Sequence, residues 1–125
     1  MVAIRGANSV LANTKEAILE ATEVMLTQVI SKNKLKDEDM VSIFFSATKD
    51  LDAVYPAVAA RQLGITNASL LCLQEMAVEG SLKMCVRLLM HVESDLSQKD
   101  VQHVYLGESI HLRPDLMMKE LNNND

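Results

Sequence analysis

The sequence has few aromatic residues and a deficit of positive charge. Aromatic residues make up 3% of its 125 positions and tryptophan is absent, so there is little from which to build base-stacking platforms for single-stranded nucleic acid. The formal net charge of −5 also disfavours a phosphate backbone as partner. A small anionic ligand remains possible, because a few local arginines can outweigh the overall balance. We therefore expect no nucleic-acid partner.

Cysteine is scarce as well, and long hydrophobic runs are missing. The two cysteines, Cys72 and Cys85, form neither a CxxC pair nor a secreted disulfide framework. The N-terminus does not resemble a signal peptide, and no apolar run reaches membrane-spanning length. These features predict a cytoplasmic protein that has no membrane partner.

The common catalytic motifs are also missing. The sequence contains no glycine-rich phosphate loop, no GxSxG and no HExxH. The three histidines lack close metal-ligand spacing, so we expect no metal and no cofactor. Cys72 is a possible nucleophile, but no histidine stands beside it in the sequence, and a buried inert thiol is the commoner outcome.

What is present is the pattern of a single globular domain. Hydrophobic residues make up 49% and charged residues 23%, and a chain of this length buries roughly two-thirds of its surface. Apolar spacing predicts a long helix that begins after Asn13 as N-cap and ends near Asn33, and a short helix between Pro56 and Gly64. Strands are predicted at 1–7, 41–47, 68–76, 84–92 and 101–106. We expect an α/β (α+β) fold with a mixed sheet of about five strands, in one domain over 1–125 with a flexible tail from about 115.

Two of these apolar runs, 68–76 and 84–92, carry residues that a simple core would exclude. Glu75 lies in the first and Arg87 in the second, and isolated charges are costly to bury. They form either a structural ion pair across two strands or part of a site. Cys72 and Glu75 have opposite parity in an unbroken strand, so both face one pocket only if the strand bulges or ends near Gln74.

The remaining chemistry-bearing residues are arginines on strands and turns: Arg5, Arg61, Arg87 and Arg113. Guanidinium groups bind carboxylates through two parallel hydrogen bonds and keep their charge at any working pH. For Arg61 the spacing alone favours a plainer role, as a cation at the end of the short helix. Together with Glu75 and Tyr105, the arginines suggest a pocket for a small polyanion that carries a hydroxyl group.

Six pieces of the sequence, in their order and spacing, resemble one enzyme family. They are IRGA at 4–7, SATKDLDAVYPAVAARQL at 46–63, LLCLQEM at 70–76, CVRLLM at 85–90, HVYL at 103–106 and LRPDL at 112–116. The resemblance is to the small monofunctional chorismate mutases of the trimeric α/β type, which rearrange chorismate to prephenate on the route to phenylalanine and tyrosine. It implies a homotrimer with a pseudo-α/β-barrel core and active sites in the clefts between adjacent subunits.

The resemblance also implies roles for individual residues at matching positions. Arg87 would contact the substrate's ether oxygen and a carboxylate, while Arg5 and Tyr105 would hold a carboxylate. Glu75 and Cys72 would meet the ring hydroxyl, with Glu75 accepting its hydrogen bond. Other positions would line or close the pocket, namely Tyr55, Ala57, Arg61 and Arg113.

The sequence departs from the family pattern at three places. Val58 stands where related sequences often have lysine, Tyr55 where they often have phenylalanine, and Asn8-Ser9 where Thr-Thr is commoner. A missing lysine at the pocket mouth weakens attraction for a dianion but leaves Arg87 untouched. Two other readings stay open at this point: a trimeric small-metabolite-binding protein or RidA-like imine hydrolase with arginine-bearing clefts between subunits, and a purely structural pair of Glu75 and Arg87.

Overall fold

The computed structural model describes residues 1–112 and shows one five-stranded mixed sheet with two α-helices. The order of the strands across the sheet is β3-β2-β4-β1-β5. The elements are β1 (Val2–Ser9), α1 (Lys15–Lys32), β2 (Met40–Ala47), α2 (Ala57–Gln62), β3 (Ser69–Gln74), β4 (Cys85–Val92) and β5 (Val104–Tyr105), with short 3-10 turns at Asp37–Asp39, Gln98–Asp100 and Gly107–Leu112. The predicted fold class, the strand count and both helices are confirmed.

The sheet is mixed because its connections differ in length. β4 lies at the centre and pairs antiparallel with both β1 and β2. β3 runs parallel to β2, and β5 runs parallel to β1. Parallel neighbours need a crossover connection, and α2 supplies it between β2 and β3. This topology brings residues that are far apart in the sequence onto neighbouring strands of one sheet.

The long helix begins one residue later than the sequence suggested. Thr14 is the N-cap, and its hydroxyl accepts a hydrogen bond from the backbone N–H of Ala17 at 3.1 Å. The predicted cap, Asn13, is instead bonded to residues 39 and 40 positions away: its side chain donates to Asp52 at 2.8 Å and accepts from the backbone N–H groups of Asp52 and Ala53. Asn33 ends the helix as predicted. The next residue, Lys34, adopts the left-handed backbone conformation, with a φ of 53°.

One face of the sheet forms the core. Alternation along β4 places Val86, Leu88 and Met90 on this face. The helix α1 packs closely here, since a Cβ added to Gly6 would lie 3.2 Å from Met25 and 3.1 Å from Leu88. The hydrophobic core therefore lies between α1 and the sheet.

The opposite face of the sheet is left open within residues 1–112. We call it the open face and define it by residues on three adjacent strands: Phe44, Ser46, Leu71, Leu73, Arg87 and Leu89. Its leucines are accessible, with Leu71 49%, Leu73 52% and Leu89 37% exposed. Although β2 is an interior strand as predicted, only one of its two faces is covered.

The last strand is much shorter than predicted. A strand was expected over 101–106, and the structure has two residues, Val104–Tyr105, paired with Gly6 and Ala7. The chain turns away directly afterwards, because Gly107 adopts a positive φ of 56° and opens a 3-10 turn. This short pairing suffices to set Tyr105 beside β1. Among the described residues, no helix is long and apolar enough to cross a membrane.

Candidate active site

Strand register brings three of the candidate site residues to one place on the open face. Ala7 of β1 pairs with both Arg87 of β4 and Tyr105 of β5, so these two side chains flank the same position. Arg5 lies two residues before Ala7 on β1, so its side chain is on the same face of the sheet. The three residues line a cleft of about 380 Å³, together with Ser46, Leu73 and Leu89 among others. We call it the Arg87 cleft.

Arg87 has a buried nitrogen that lacks a hydrogen-bond partner. Its side chain is 38% exposed, yet its Nε is buried and finds no acceptor within hydrogen-bond distance among the described residues. The nearest carboxylate oxygen, Oε2 of Glu75, is 3.9 Å away. A close guanidinium–carboxylate bond measures about 2.7–2.9 Å. The two charges are therefore neighbours that do not form a tight structural pair, and Glu75 leaves the guanidinium of Arg87 available to a ligand.

Glu75 is held by backbone and side chain at the point where β3 ends. The strand stops at Gln74, in agreement with the predicted break, and the backbone N–H of Glu75 donates to Ala47 O at 2.9 Å. Its carboxylate accepts a hydrogen bond from Ser46 Oγ at 2.6 Å. The side chain is 29% exposed. One carboxylate oxygen is thus engaged inside the protein, and the group stays accessible.

Cys72 does not join this group within one chain. It pairs in register with Phe45 on β2 and packs against the core, on the face opposite to Arg87. There it lines a second cleft of about 590 Å³ together with Thr48, Asp52, Tyr55 and Gln74 among others. We call it the Cys72 cleft. The strand break alone therefore does not unite Cys72 and Glu75, contrary to the sequence-based expectation, because Glu75 keeps the parity of Leu71 and Leu73.

The other predicted site residues are spread over the Cys72 cleft, α2 and the part of the chain beyond the described residues. Tyr55 lines this cleft and is 73% exposed, whereas Ala57 is buried at the start of α2. Arg61 is exposed in the last turn of α2, the position where a cation is favourable against the helix dipole. Arg113 lies outside the described residues.

A second cysteine stands beside Arg87, and its surroundings keep it neutral. Cys85 is 2% exposed at the start of β4, and its thiol donates to Val86 O at 3.6 Å. Burial raises the pKa of the Cys85 thiol, and the positive charge of Arg87 offsets only part of this effect. The thiol is therefore protonated at neutral pH. Within the described residues, no group of three or more histidine, cysteine, aspartate or glutamate side chains could hold a metal ion.

Sequence reasoning missed two groups that organise the site. Ser46 donates to Glu75, and the only signal for it was that it is one of two serines, with Ser42, in a mainly apolar strand. The second group is a clamp between the end of β2 and the start of β4. Asp50 accepts from Thr48 Oγ1 and from the backbone N–H of Met84, and Thr48 Oγ1 accepts from the backbone N–H of Cys85 at 3.1 Å. This clamp fixes where β4 begins, two residues before Arg87.

We expect Asp50→Ala to lower the free energy of unfolding by about 1–3 kcal/mol, because it leaves the half-buried N–H of Met84 without its acceptor. Met84 already has a positive φ of 51°, so its conformation depends on this support. Urea denaturation measures the change. Asp95→Ala, at an exposed loop position, is the matched control, with an expected effect within about 0.5 kcal/mol. Equal midpoints for the two variants would contradict the clamp.

Within the described residues, the mixed sheet carries strand-borne arginines and a carboxylate on one face, without a nucleophile–base pair, and such a set is typical of proteins that bind small carboxylated molecules. The comparisons with known proteins narrow this class. The family model for chorismate mutase type I matches residues 1–116, and the chain belongs to that family. It is a chorismate mutase, an isomerase of aromatic amino acid biosynthesis. This assignment favours neither of the other two readings that the sequence left open.

Individual relatives agree over nearly the whole chain. The chorismate mutase AroH of Bacillus subtilis is 46% identical over 116 residues, which are 92% of this chain and 91% of the relative. The chorismate mutase AroH of Thermus thermophilus is 41% identical over 114 residues, or 90% and 93% of the two chains. The solved structure of a chorismate mutase from Clostridium thermocellum superposes with a TM-score of 0.86 at 46% identity, and covers 87% of this chain and 97% of that one.

Proposed function

We propose that this chorismate mutase acts as a homotrimer whose active sites form between neighbouring copies, each site combining the Arg87 cleft of one copy with the Cys72 cleft of the next. The observation that carries the proposal is the separation of these two clefts onto opposite faces of the sheet. Residues that the family resemblance assigns to one substrate, such as Cys72 and Arg87, cannot meet within one chain. A second copy has to supply the missing half.

The open face supports an assembly of this kind. It exposes Leu71, Leu73 and Leu89 side by side, and the loop after β3 adds the exposed Met76 and Val78. Contiguous apolar patches of this kind mark interaction surfaces in soluble proteins. A ring with threefold symmetry joins two different patches of the same chain at every interface. That geometry would place one cleft of a copy against the other cleft of its neighbour.

In the proposed mechanism, Arg87 lowers the barrier electrostatically. The carbon–oxygen bond of chorismate breaks ahead of carbon–carbon bond formation, so negative charge builds on the ether oxygen. The guanidinium of Arg87, whose side chain is 38% exposed, would donate to that oxygen, and this interaction is stronger in the transition state than in the ground state. Glu75 does not take up this guanidinium, because its Oε2 stays 3.9 Å from the Nε.

The other residues would select the compact conformer of the substrate. Arg5 and Tyr105, in the same cleft as Arg87, would hold a carboxylate, and Glu75 would accept the hydrogen bond of the ring hydroxyl. From the neighbouring copy, Cys72 would meet the same hydroxyl. The pocket would be lined or closed by Tyr55, Ala57, Arg61 and Arg113. Holding both ends of the dianion fixes the reacting carbons near each other, which is a positioning effect.

The proposed chemistry requires no cofactor, no metal and no proton transfer. We therefore expect the rate to be flat from about pH 6 to pH 9, because no essential group changes its protonation state in that range. Burial raises the pKa of Cys85, which keeps this thiol protonated next to Arg87 across most of the range. The check is kcat/KM for chorismate across this range in buffers of constant ionic strength. A sharp bell-shaped profile would point instead to acid–base catalysis by Glu75 or a thiolate role for Cys72.

We also propose the domain organisation, the cellular location and the partners of the enzyme. The chain would act as a single domain in the cytoplasm, with chorismate as its ligand and with neither nucleic acid nor membrane as a partner. The two free cysteines and the net charge of −5 support this setting. The assembly is tested by sedimentation equilibrium at micromolar concentration. A mass of three times the 13.8 kDa chain is expected, and an active monomer would contradict the shared site.

A further inference from the structure

Ser46 sits where the two charges of the Arg87 cleft meet. It lies on β2 directly opposite Arg87 in the strand register, with its side chain on the same face of the sheet. Its hydroxyl donates to Oε2 of Glu75 at 2.6 Å. That is the same oxygen that stands 3.9 Å from Nε of Arg87. The serine therefore acts on the one carboxylate oxygen that could close onto the guanidinium.

We propose that Ser46 is a positioning residue that keeps Glu75 from pairing closely with Arg87. By holding Oε2, it leaves Oε1 to accept a hydrogen bond from the substrate's hydroxyl. By holding that oxygen back, it also leaves the guanidinium of Arg87 to donate to the substrate. This inference rests on the proposed roles of Glu75 and Arg87, and it adds the group that keeps both available.

Within the described part of the chain, the Nε–H of Arg87 leaves one hydrogen bond unmade. A buried N–H without an acceptor is unfavourable, and a charged acceptor is within reach. The Oε2 oxygen would need to approach by only about 1 Å to reach the usual length of a charge-assisted bond. A close pair of that kind would occupy the Glu75 carboxylate and the Arg87 guanidinium with each other, and neither would be left for the substrate. Something must therefore hold the carboxylate away from Arg87.

Two contacts do so. The backbone N–H of Glu75 is tied to Ala47 O at 2.9 Å, which fixes the main chain of the glutamate beside the end of β2. The Ser46 hydroxyl then fixes the carboxylate itself. A serine suits this place because its side chain is short, so its position on the strand sets the direction of its single hydroxyl donor toward the Glu75 carboxylate. The backbone tie alone leaves the side chain of Glu75 free to turn toward Arg87.

The first test is Ser46→Ala in the full-length enzyme. We expect kcat to fall about tenfold with a smaller change in KM, the effect of misplacing one hydrogen-bonded group. Ser46→Thr keeps the hydroxyl in a strand and is expected to restore at least half of the wild-type kcat. The matched control is Ser42→Ala, the same truncation on the same strand and face, where the hydroxyl contacts His91 at 3.0 Å and not Glu75. Its kcat is expected to stay within twofold of wild type.

Two further readouts distinguish the proposed positioning role of Ser46 from a merely structural role. In a Glu75→Gln background, Ser46→Ala is expected to change kcat less than twofold, because the charge that it restrains is gone. In the ligand-free enzyme labelled with ¹⁵N, the Nε–H signal of Arg87 is expected to move downfield in Ser46→Ala and to stay in place in the double variant. An equal loss of kcat in both backgrounds, or an unmoved Arg87 signal in Ser46→Ala, would overturn the proposal.

The outcome also distinguishes this inference from the proposed function on which it rests. Wild-type activity of Glu75→Gln and Arg87→Ala would overturn the roles of those two residues. Strong losses in both of these variants, together with a Ser46→Ala enzyme of wild-type activity, would leave the roles standing and reject the positioning by Ser46.

Discussion

Arg87→Ala is expected to lower kcat for chorismate rearrangement about a hundred- to thousandfold, or roughly 3–4 kcal/mol of transition-state stabilisation. The physical reason is that the variant removes the preorganised donor at the position where negative charge develops. KM is expected to change less than kcat, since the contact strengthens on the way to the transition state. The measurement is the initial rate of loss of chorismate absorbance at saturating substrate.

The fold is expected to survive this substitution. Arg87 projects from the open face of the sheet, away from the core, and its Nε has no hydrogen-bond acceptor among the described residues that truncation would orphan. Circular dichroism melting and sedimentation are therefore expected to match those of the wild type. Arg87→Lys keeps the charge but not the planar guanidinium, and its activity is expected to lie between those of the wild type and Arg87→Ala. Lys99→Ala removes an exposed cation that lines neither cleft, and it is the control for the loss of one positive charge. Turnover by Arg87→Ala at the wild-type level would remove the arginine from the mechanism.

The second large effect concerns sites shared between copies. Arg87→Ala damages the half of the site on the open face, and Arg61→Glu reverses a charge on α2, in the half assigned to the neighbouring copy. Each variant alone is expected to lose about a hundredfold or more in activity. Mixed trimers made by co-expressing the two variants with different tags are expected to regain activity. Random assembly gives about one intact site in four, since each site takes one half from each of two neighbours.

A pairing within the same half is the control for this experiment. Arg87→Ala and Glu75→Gln both alter the Arg87 cleft, so every site in their mixed trimers keeps one defect. No activity above the sum of the two variants is expected there. Restoration in this control would show that Arg87 and Glu75 reach a site from different copies. No restoration in the Arg87 and Arg61 mixture would contradict the proposed division of each site between two copies.

Much of the fold could be predicted because local pattern and tertiary structure agree. The strand predicted over 84–92 is found as β4, at Cys85–Val92. The end of β3 at Gln74 was foreseen from the conflict of parity between Cys72 and Glu75. In each case the deciding information lies within a few residues of the chain.

The errors arose where a distant partner decides the outcome. Asn13 has the chemistry of an N-cap, but Asp52 and Ala53 engage its side chain and the cap falls to Thr14. The strand predicted over 101–106 shrank to two residues because the side chains of Gln98 and His103, and not a backbone strand, bond the neighbouring backbone groups of β1 at Ala3 and Arg5. Neither partner can be identified from local spacing.

The candidate site was predictable in its residue types more than in its arrangement. Arginines on strands and a carboxylate in an apolar run indicated an anion site, and the family resemblance assigned their roles. The opposite parity of Cys72 and Glu75 was visible in the sequence, but the residues of β2 that face them depend on the register of β3 against β2, which periodicity does not supply. Ser46 was overlooked for the same reason, because its contact with Glu75 exists only once those two strands are aligned.

The central claim, that this chain rearranges chorismate to prephenate through Arg87, is tested most directly by one assay. Purified protein is added to chorismate, the loss of its ultraviolet absorbance is followed, and the product is identified by mass and by its retention on chromatography. The wild-type enzyme is expected to convert chorismate to an equal amount of prephenate with no added metal or cofactor, and the Arg87→Ala enzyme to do so at a rate near background. Loss of chorismate without prephenate, or equal rates for the two proteins, would contradict the account.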